Sequence, residues 1–301
     1  CHIREKKMIT DTDLFIFMDN NSDLFDITKM CKVFNLTRSS YYNFLKTETS
    51  NSEIKKQNVK ELINKIWLDS CKRYGAPKIT IVLKKHYNIQ ISQKTVQKYM
   101  KELNIKSIIT KTCKPSKYKP DEGEFINILK RDFSTTTINE KWVSDITYVY
   151  TKECGWCYLA TILDLHSKRL IGWKFDKRMT SELVQAALEN AIQTRKLNKV
   201  IVLHSDRGRQ YTAEVYRNYC SANDFNLSYS EKGCPYDNAP MESFNAIIKK
   251  ELINHVIYNT FEDAKISIFN FIEKWYNRER IHGSIYNMTP IEFEQNELYT
   301  F

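Results

Sequence analysis

Glycine and proline are scarce in this 301-residue chain, at 7 and 6, which excludes long flexible linkers and low-complexity tracts. No run approaches the roughly 20 apolar residues that a membrane-spanning helix requires. The opening residues, Cys1 to Lys7, lack the apolar core of a secretory signal. With no initiating methionine, the chain reads as a fragment or as the downstream part of a longer product. A cytoplasmic location is expected. Cysteine is present, but without order: the eight thiols, at 1, 31, 71, 113, 154, 157, 220 and 234, match neither zinc-site spacing nor a disulfide framework. The lone pair in Cys154-Gly155-Trp156-Cys157 falls between two expected strands and reads as a hairpin turn. Free thiols in a reducing compartment are the expectation.

What the chain does carry is charge in one place. The net charge is +10, from 46 basic and 36 acidic side chains. Residues 1–124 hold 24 Lys/Arg and 14 Asp/Glu, while 125–301 hold 22 of each. Residues 55–119 alone hold 17 basic against 3 acidic side chains. A block that basic inside an otherwise neutral protein releases counterions when it meets a polyanion, which points to nucleic acid. Elsewhere the composition, 42% hydrophobic and 27% charged, is that of an ordinary globular protein, long enough for one large domain or two to three small ones.

Apolar periodicity divides the chain into four segments: 1–50, 51–105, 106–124 and 125–301. The first two are helical in pattern, each with a helix-turn-helix candidate. Ile27, Met30, Cys31 and Phe34 recur at helical spacing before a turn at Asn35-Leu36-Thr37, and a second helix runs from Arg38 to Leu45. Later, Ile79, Val82, Leu83 and Tyr87 line one helix, and Ser92 caps another that runs to about Leu103. That last helix presents Lys94, Gln97, Lys98 and Lys101 outward, as a helix placed in a major groove would; a plain helical bundle is the competing reading. Residues 106–124 form a basic linker, broken by Pro115 and Pro120, in which Lys114 and Lys117 are placed to track a phosphate backbone.

From 125 onward strands come first. Three β-branched segments, Lys141 to Thr151, Trp156 to Leu165 and Arg169 to Phe175, precede a helix over Ser181 to Arg195. A buried-type strand at Lys199 to Leu203, a helix over Thr212 to Asn223, a strand at Phe225 to Tyr229 and a helix from about Ala239 follow. The order βββαβαβα predicts an α/β fold: a ribonuclease-H-like mixed sheet with flanking helices, preceded by α-helical units.

Three acids fall where this order brings strand ends and a helix start together. Asp145 lies mid-strand among Trp142, Val143, Ile146 and Val149, a setting in which a merely decorative carboxylate is rare. Asp206 follows the strand-forming run ending at Ser205, on the side of an open sheet where ligands collect. Glu242 stands in the first turns of the last helix. The separations are 61 and 36 residues. Carboxylates suit hard divalent cations, and two such ions activate an oxygen nucleophile and neutralise the leaving oxygen in phosphodiester chemistry. Unneutralised, three clustered carboxylates raise one another's pKa.

On these residues a resemblance rests. The segments WVSDITYVY, HSDRGRQY and GCPYDNAPMESFNAIIKKEL resemble the signature blocks of bacterial insertion-sequence transposases with a retroviral-integrase-type core. The likeness is to the copy-out, paste-in class made from two frameshifted reading frames, of which this chain resembles the second-frame product. It extends through RYGAPKITIVLKKH and SQKTVQKYMKELNI, similar to the family's helix-turn-helix insert, to the tail YNRERIHGSIYNMTPIEF. The resemblance implies that Asp145, Asp206 and Glu242 are catalytic and bind two Mg²⁺ ions, with Mn²⁺ as a substitute. It implies double-stranded DNA as partner, both element terminal repeats and target, a homodimer or higher oligomer on DNA, and a nucleoid-associated place in a bacterial cytoplasm.

The neighbours of the triad carry further expectations. Asn245 and Lys249 share a helix face with Glu242 and are expected to look toward DNA. Arg207 and Arg209 would add positive charge beside the site. His204 reads as a brace for the strand end, while Gln210 and Tyr211 either orient DNA or pack beneath the Asp206 loop. Arg278 and His282 are expected near the DNA strand or the Glu242 helix, and the stripe Phe261, Phe269, Phe271, Trp275 and Tyr276 reads as core. The function so read is cleavage and joining of insertion-sequence ends by hydrolysis and strand transfer. A nuclease that only hydrolyses, and a DNA-binding regulator without catalysis, remain the alternatives.

Overall fold

The computed structural model describes residues 10–46, 51–108 and 125–298. At its start, α1 (Asp11–Asn20), α2 (Ile27–Val33) and α3 (Arg38–Lys46) enclose a small core of Phe15, Met18, Met30, Cys31 and Tyr41. Asp26 caps α2 by accepting the backbone N–H groups of Thr28 and Lys29, which fixes where that helix begins.

A second helical unit follows: α4 (Asn51–Asp69), α5 (Ala76–Tyr87) and α6 (Gln93–Glu102). Ser92 caps α6 through the Thr95 N–H, and Asn88 ends α5 in the left-handed region at φ 53°, a conformation Asn tolerates well. Residues 106–108, expected to begin a linker, stay on this unit. The Lys106 carbonyl accepts from Trp67 Nε1, and the Ile108 N–H donates to the Lys72 carbonyl. Lys114 and Lys117 lie outside the described residues.

The five-stranded sheet has the order β3-β2-β1-β4-β5. Its first three strands, β1 (Lys141–Thr151), β2 (Gly155–Asp164) and β3 (Leu170–Asp176), form an antiparallel meander, while β4 (Ile201–Ser205) and β5 (Phe225–Tyr229) are parallel to β1. The turn between β1 and β2 is shorter than expected: it covers 152–154, so Cys154 lies in it while Cys157 already pairs in β2 opposite Val149, and both thiols are free. Because β1 is central and long, its alternate residues enter two different cores. Trp142 and Ile146 face the layer of α7 (Ser181–Thr194), α8 (Arg209–Thr212) and α9 (Glu214–Ala222). Val143 and Val149 face the layer of α10 (Ala239–Glu251), α11 (Phe261–Phe269) and the π-helical segment Asn270–Tyr276. A last helix, α12, covers Pro290–Leu298. Among the described residues no helix is long and apolar enough to cross a membrane.

The second helical unit shares a hydrophobic core with the α10 layer. Arg73 donates to the carbonyl of Glu251 (3.0 Å) and stacks its guanidinium 4.6 Å from the Trp275 ring centroid. The Tyr74 hydroxyl donates to the carbonyl of Glu279 (3.0 Å) and accepts from the Ile281 N–H (3.2 Å).

Candidate active site

Only the first residues of β1, Lys141 to Val143, pair with β4, opposite Val202 to His204. Carried two residues further, that register sets Asp145 beside Asp206 just as β4 ends at Ser205. Alternation along β1 puts Asp145 on the same side as Val143, toward α10. There Asp145, Asp206 and Glu242 line one cavity of ≈ 450 Å³, together with Arg207, Ser230 and Asn238.

Each carboxylate is held differently. Asp145 Oδ1 accepts the N–H of Ile146 and Oδ2 accepts Asn245 Nδ2, both at 2.8 Å. Burial, reinforced by the charges of Asp206 and Glu242 and opposed by the Ile146 N–H and Lys249, pushes its carboxyl up to about 7. Asp206 is exposed and its Oδ1 accepts the Gly208 N–H at 2.9 Å. A Cβ at 208 would lie 2.9 Å from that same oxygen, so a side chain there would displace the Asp206 carboxylate. Glu242 is in the first turn of α10, where the helix dipole favours a negative charge; partial burial raises its carboxyl above the usual range.

Helix α10 is fixed at both ends. Near its start Asn238 Nδ2 donates to the Ser144 carbonyl on β1 (3.1 Å). At its end buried Glu251 accepts Arg280 Nη2 (2.9 Å) and Trp275 Nε1 (3.1 Å). Beneath β1 the buried Tyr211 hydroxyl bonds Ser144 Oγ at 2.9 Å. His204 is fully buried between Ser228 Oγ (2.8 Å) and Ser230 Oγ (3.0 Å), and burial drives its imidazole down to about 4. It is a neutral brace, as the sequence led us to expect.

The donor set fits a divalent metal. Besides three carboxylates, the buried Oδ1 atoms of Asn238, in the cavity wall, and of Asn245, beside Asp145, have no partner, and all of these are oxygen acceptors suited to a hard cation and its waters. The three carboxylates do not close on a single point. Among the described residues the one group with ligand atoms all within 4.8 Å of one another is Glu231, Cys234 and Asp237. The tighter group is no metal site, because Asp237 already accepts from Arg131 Nε (2.6 Å), Asn127 Nδ2 (3.0 Å) and the Glu231 N–H (2.9 Å).

Comparison with known proteins places this arrangement. The family described as Integrase core domain matches residues 136–235 and, in a second form, 223–290; the HTH-like domain matches 53–112. The transposase InsF of insertion sequence IS3A from Escherichia coli (strain K12) is 33% identical over 287 residues, covering 94% of this chain and 99% of that protein. The chain belongs to the IS3-type insertion-sequence transposases. It is thus a polynucleotidyl transferase of the DDE type. The uncharacterized 31 kDa protein of insertion element IS600 from Shigella sonnei is 33% identical over 88% of this transposase and 97% of its own length. Among solved structures, the HTLV-2 integrase catalytic core domain in complex with magnesium is 17% identical, with TM-score 0.40 over 52% of this chain and 96% of that one.

The sequence-based DNA contacts fare unevenly in the transposase. Lys94, Gln97, Lys98 and Lys101 are exposed in one stripe of α6, with Val96 and Met100 buried behind them. Arg209 is exposed beside the cavity. Asn245 does not look outward: it is buried and donates to Asp145. Lys249 is exposed one turn further on, along a groove next to the cavity. Arg207 spends two donors on backbone carbonyls, Nε to Ser230 (2.9 Å) and Nη2 to Phe125 (3.2 Å), bracing the cavity wall. His282 is buried against Arg280 and the Tyr276 ring, and burial drives its imidazole down to about 2; it cannot meet DNA. Arg278 is exposed on the side facing α4 and α5, remote in the fold from the carboxylates. The residue that does brace the Glu242 helix is Arg280, between them. The preceding π-helical turn breaks the 3.6-residue period from which a facing is read. Gln210 donates to the Met179 carbonyl, tying α8 to the segment before α7, and Tyr211 packs beneath the site.

Proposed function

We propose that the transposase cleaves DNA at insertion-sequence ends and joins the exposed 3′ hydroxyl to a second phosphodiester, with Asp145, Asp206 and Glu242 as its catalytic metal ligands. The observation that carries this reading is the convergence of those three carboxylates, from a strand, a strand end and a helix start, on one cavity. Two divalent ions held there, Mg²⁺ or Mn²⁺, would activate the attacking oxygen and neutralise the leaving one.

The chain's own residues prepare that site. Asn245 and the Ile146 N–H orient both oxygens of Asp145, so little rearrangement is needed on loading. The Gly208 N–H holds Asp206 in the same way. Lys249 opposes the negative charge of Asp145; without a cation, the carboxylates together would repel a phosphate. Because metal activates the nucleophile, no serine or tyrosine needs to form a covalent link to DNA.

The exposed stripe of α6, with Lys94, Gln97, Lys98 and Lys101, would grip element-end DNA. Joining two ends calls for at least two copies on DNA, acting in the bacterial cytoplasm at the nucleoid. The test is joining of a pre-cleaved end duplex into a target plasmid in Mg²⁺. The wild-type chain joins strands and Asp206→Asn does not. Hydrolysis without joining by the wild type would reduce the reading to that of a nuclease.

A further inference from the structure

Past Asp145, β1 has no β4 neighbour, and its open side borders a groove of ≈ 740 Å³ that ends where Thr151 bridges to Tyr258. One wall is made of cross-strand aromatic pairs on the β1–β2 hairpin, Tyr148 opposite Tyr158 and Tyr150 opposite Trp156. The other is the segment after α10, including Val256 and Ile257, with Lys249 of α10 at the groove.

Three of the rings are exposed to an unusual degree: Tyr148 by 45%, Tyr150 by 53% and Trp156 by 58%. They meet one another edge-on, at 75° for Tyr150 with Trp156 and 89° for Tyr148 with Trp156, so ring area remains uncovered on the groove side. An apolar patch of this kind marks a binding surface. Its charge is one-sided, since Lys249 is its only ionisable side chain of either sign apart from the tyrosines. Lys249 stands on the same helix as Glu242, about two turns on, and its charge reaches Asp145, so the groove neighbours the carboxylate cavity. Tyr148 and Tyr150 stand three and five residues beyond Asp145, about 10 and 17 Å along the strand and on its other face, so an occupant reaches them around the open edge of β1.

An occupant must therefore be flat-faced, anionic and attached to whatever lies over the carboxylates. We infer that this groove binds unpaired nucleotides of the DNA strand flanking the scissile phosphate, their bases stacked on Tyr148, Tyr150 and Trp156 and a phosphate beside Lys249. Base–aromatic stacking is worth about 1–3 kcal/mol per base and is tolerant of sequence. Paired bases present no free face, so the groove selects a frayed or single-stranded end over a closed duplex. The inference rests on the proposed function for the presence of DNA at Asp145, but its test reads binding alone.

The full chain is titrated, in EDTA so that nothing is cut, with a fluorescein-labelled 12-nucleotide thymidine strand and with a blunt 12-base-pair duplex, by anisotropy. Replacing both rings, Tyr150→Leu with Trp156→Leu, keeps the wall apolar and removes its π-faces. Affinity for the single strand is expected to fall at least about ten-fold, with duplex affinity within two-fold, and the Tyr150→Phe, Trp156→Phe pair retains it. An unchanged single-strand affinity, or an equal loss for both ligands, overturns the inference. So does a leucine pair that turns a sedimenting dimer into a monomer with single-strand binding intact, which would make the groove an interface between copies. Asp145→Asn serves as the independent control: if it still cleaves DNA while the leucine pair loses the single strand, the catalytic reading fails and the groove stands.

Discussion

In the proposed function, the basic helical unit and the carboxylate cavity handle the same polymer by opposite means. Residues 55–119 carry 17 basic and 3 acidic side chains, and on α6 the relevant ones stand exposed in a row. Each adds a similar increment through counterion release, so none is indispensable. The core from 125 to 301 is balanced at 22 of each sign, and its proposed catalytic charges are three, each placed by a strand, a turn or a helix. The contrast teaches that charge count locates where such a protein grips, whereas topology locates where it cuts.

The two regions are not mechanically independent. They meet at Glu251, whose carboxylate holds Arg280 and Trp275 and whose carbonyl takes Arg73 of the helical unit. Breaking this knot is the largest stability effect we expect. Arg280→Met leaves a buried, unpaired Glu251 and should cost about 3–5 kcal/mol, measured by urea unfolding. A loss under 1 kcal/mol would mean that the knot does not couple the regions.

Next in size is a pH effect confined to the core. Metal-free Asp145 holds its proton up to about pH 7, against an ordinary value of 3.8. Between those values the folded state binds a proton that the unfolded chain has released, so stability falls as pH rises through this window. Between pH 5 and pH 8, with partial solvent screening, the loss is on the order of 2 kcal/mol. Melting in EDTA at pH 5 and pH 8 measures it, and either Asp145→Asn or added Mg²⁺ at pH 8 should abolish it. A pH response that survives in Asp145→Asn would assign it to other groups.

Gly172 on β3 sharpens the picture of the opposite layer. A Cβ there would lie 2.3 Å from the Ala187 carbonyl of α7, so Gly172→Ala should cost about 1–3 kcal/mol by overpacking. Because it sits on the face away from α10, DNA affinity should not change. The smallest effect belongs to the gripping region. Each of Lys94→Ala, Lys98→Ala and Lys101→Ala should flatten the dependence of log affinity on log salt by about 0.9 if the residue meets a phosphate. Cleavage at saturating DNA should be unaltered.

Much of this molecule was legible in its sequence, for reasons that differ by element. β1 announces itself by β-branched alternation, and α6 by a cap at Ser92 and a clean polar stripe. The three acids were legible because strand ends and a helix start are sequence-visible features. Helix α4 was not drawn as an element, since apolar Ile54 and Leu68 face solvent while Ile63 and Ile66 are buried, which blurs its stripe. Asn245 was placed on the right helix face but assigned the wrong partner: i, i+3 spacing reveals a shared face, not that β1 runs beneath it. Arg280 was passed over for Arg278 and His282 because facing beyond a π-helical turn follows no simple period. The aromatic groove depends on where β4 stops pairing with β1, a tertiary fact that residue pattern does not contain.

The central claim, that cutting resides in the triad and gripping elsewhere, is tested most directly by measuring cleavage and DNA affinity on one preparation of Asp145→Asn. The account predicts Mg²⁺-dependent cleavage reduced by roughly a hundred- to a thousand-fold, an effect of the size seen when transition-state charge loses its stabiliser, with affinity for end DNA within two-fold of wild type. Full Mg²⁺-dependent cleavage by this variant would contradict it.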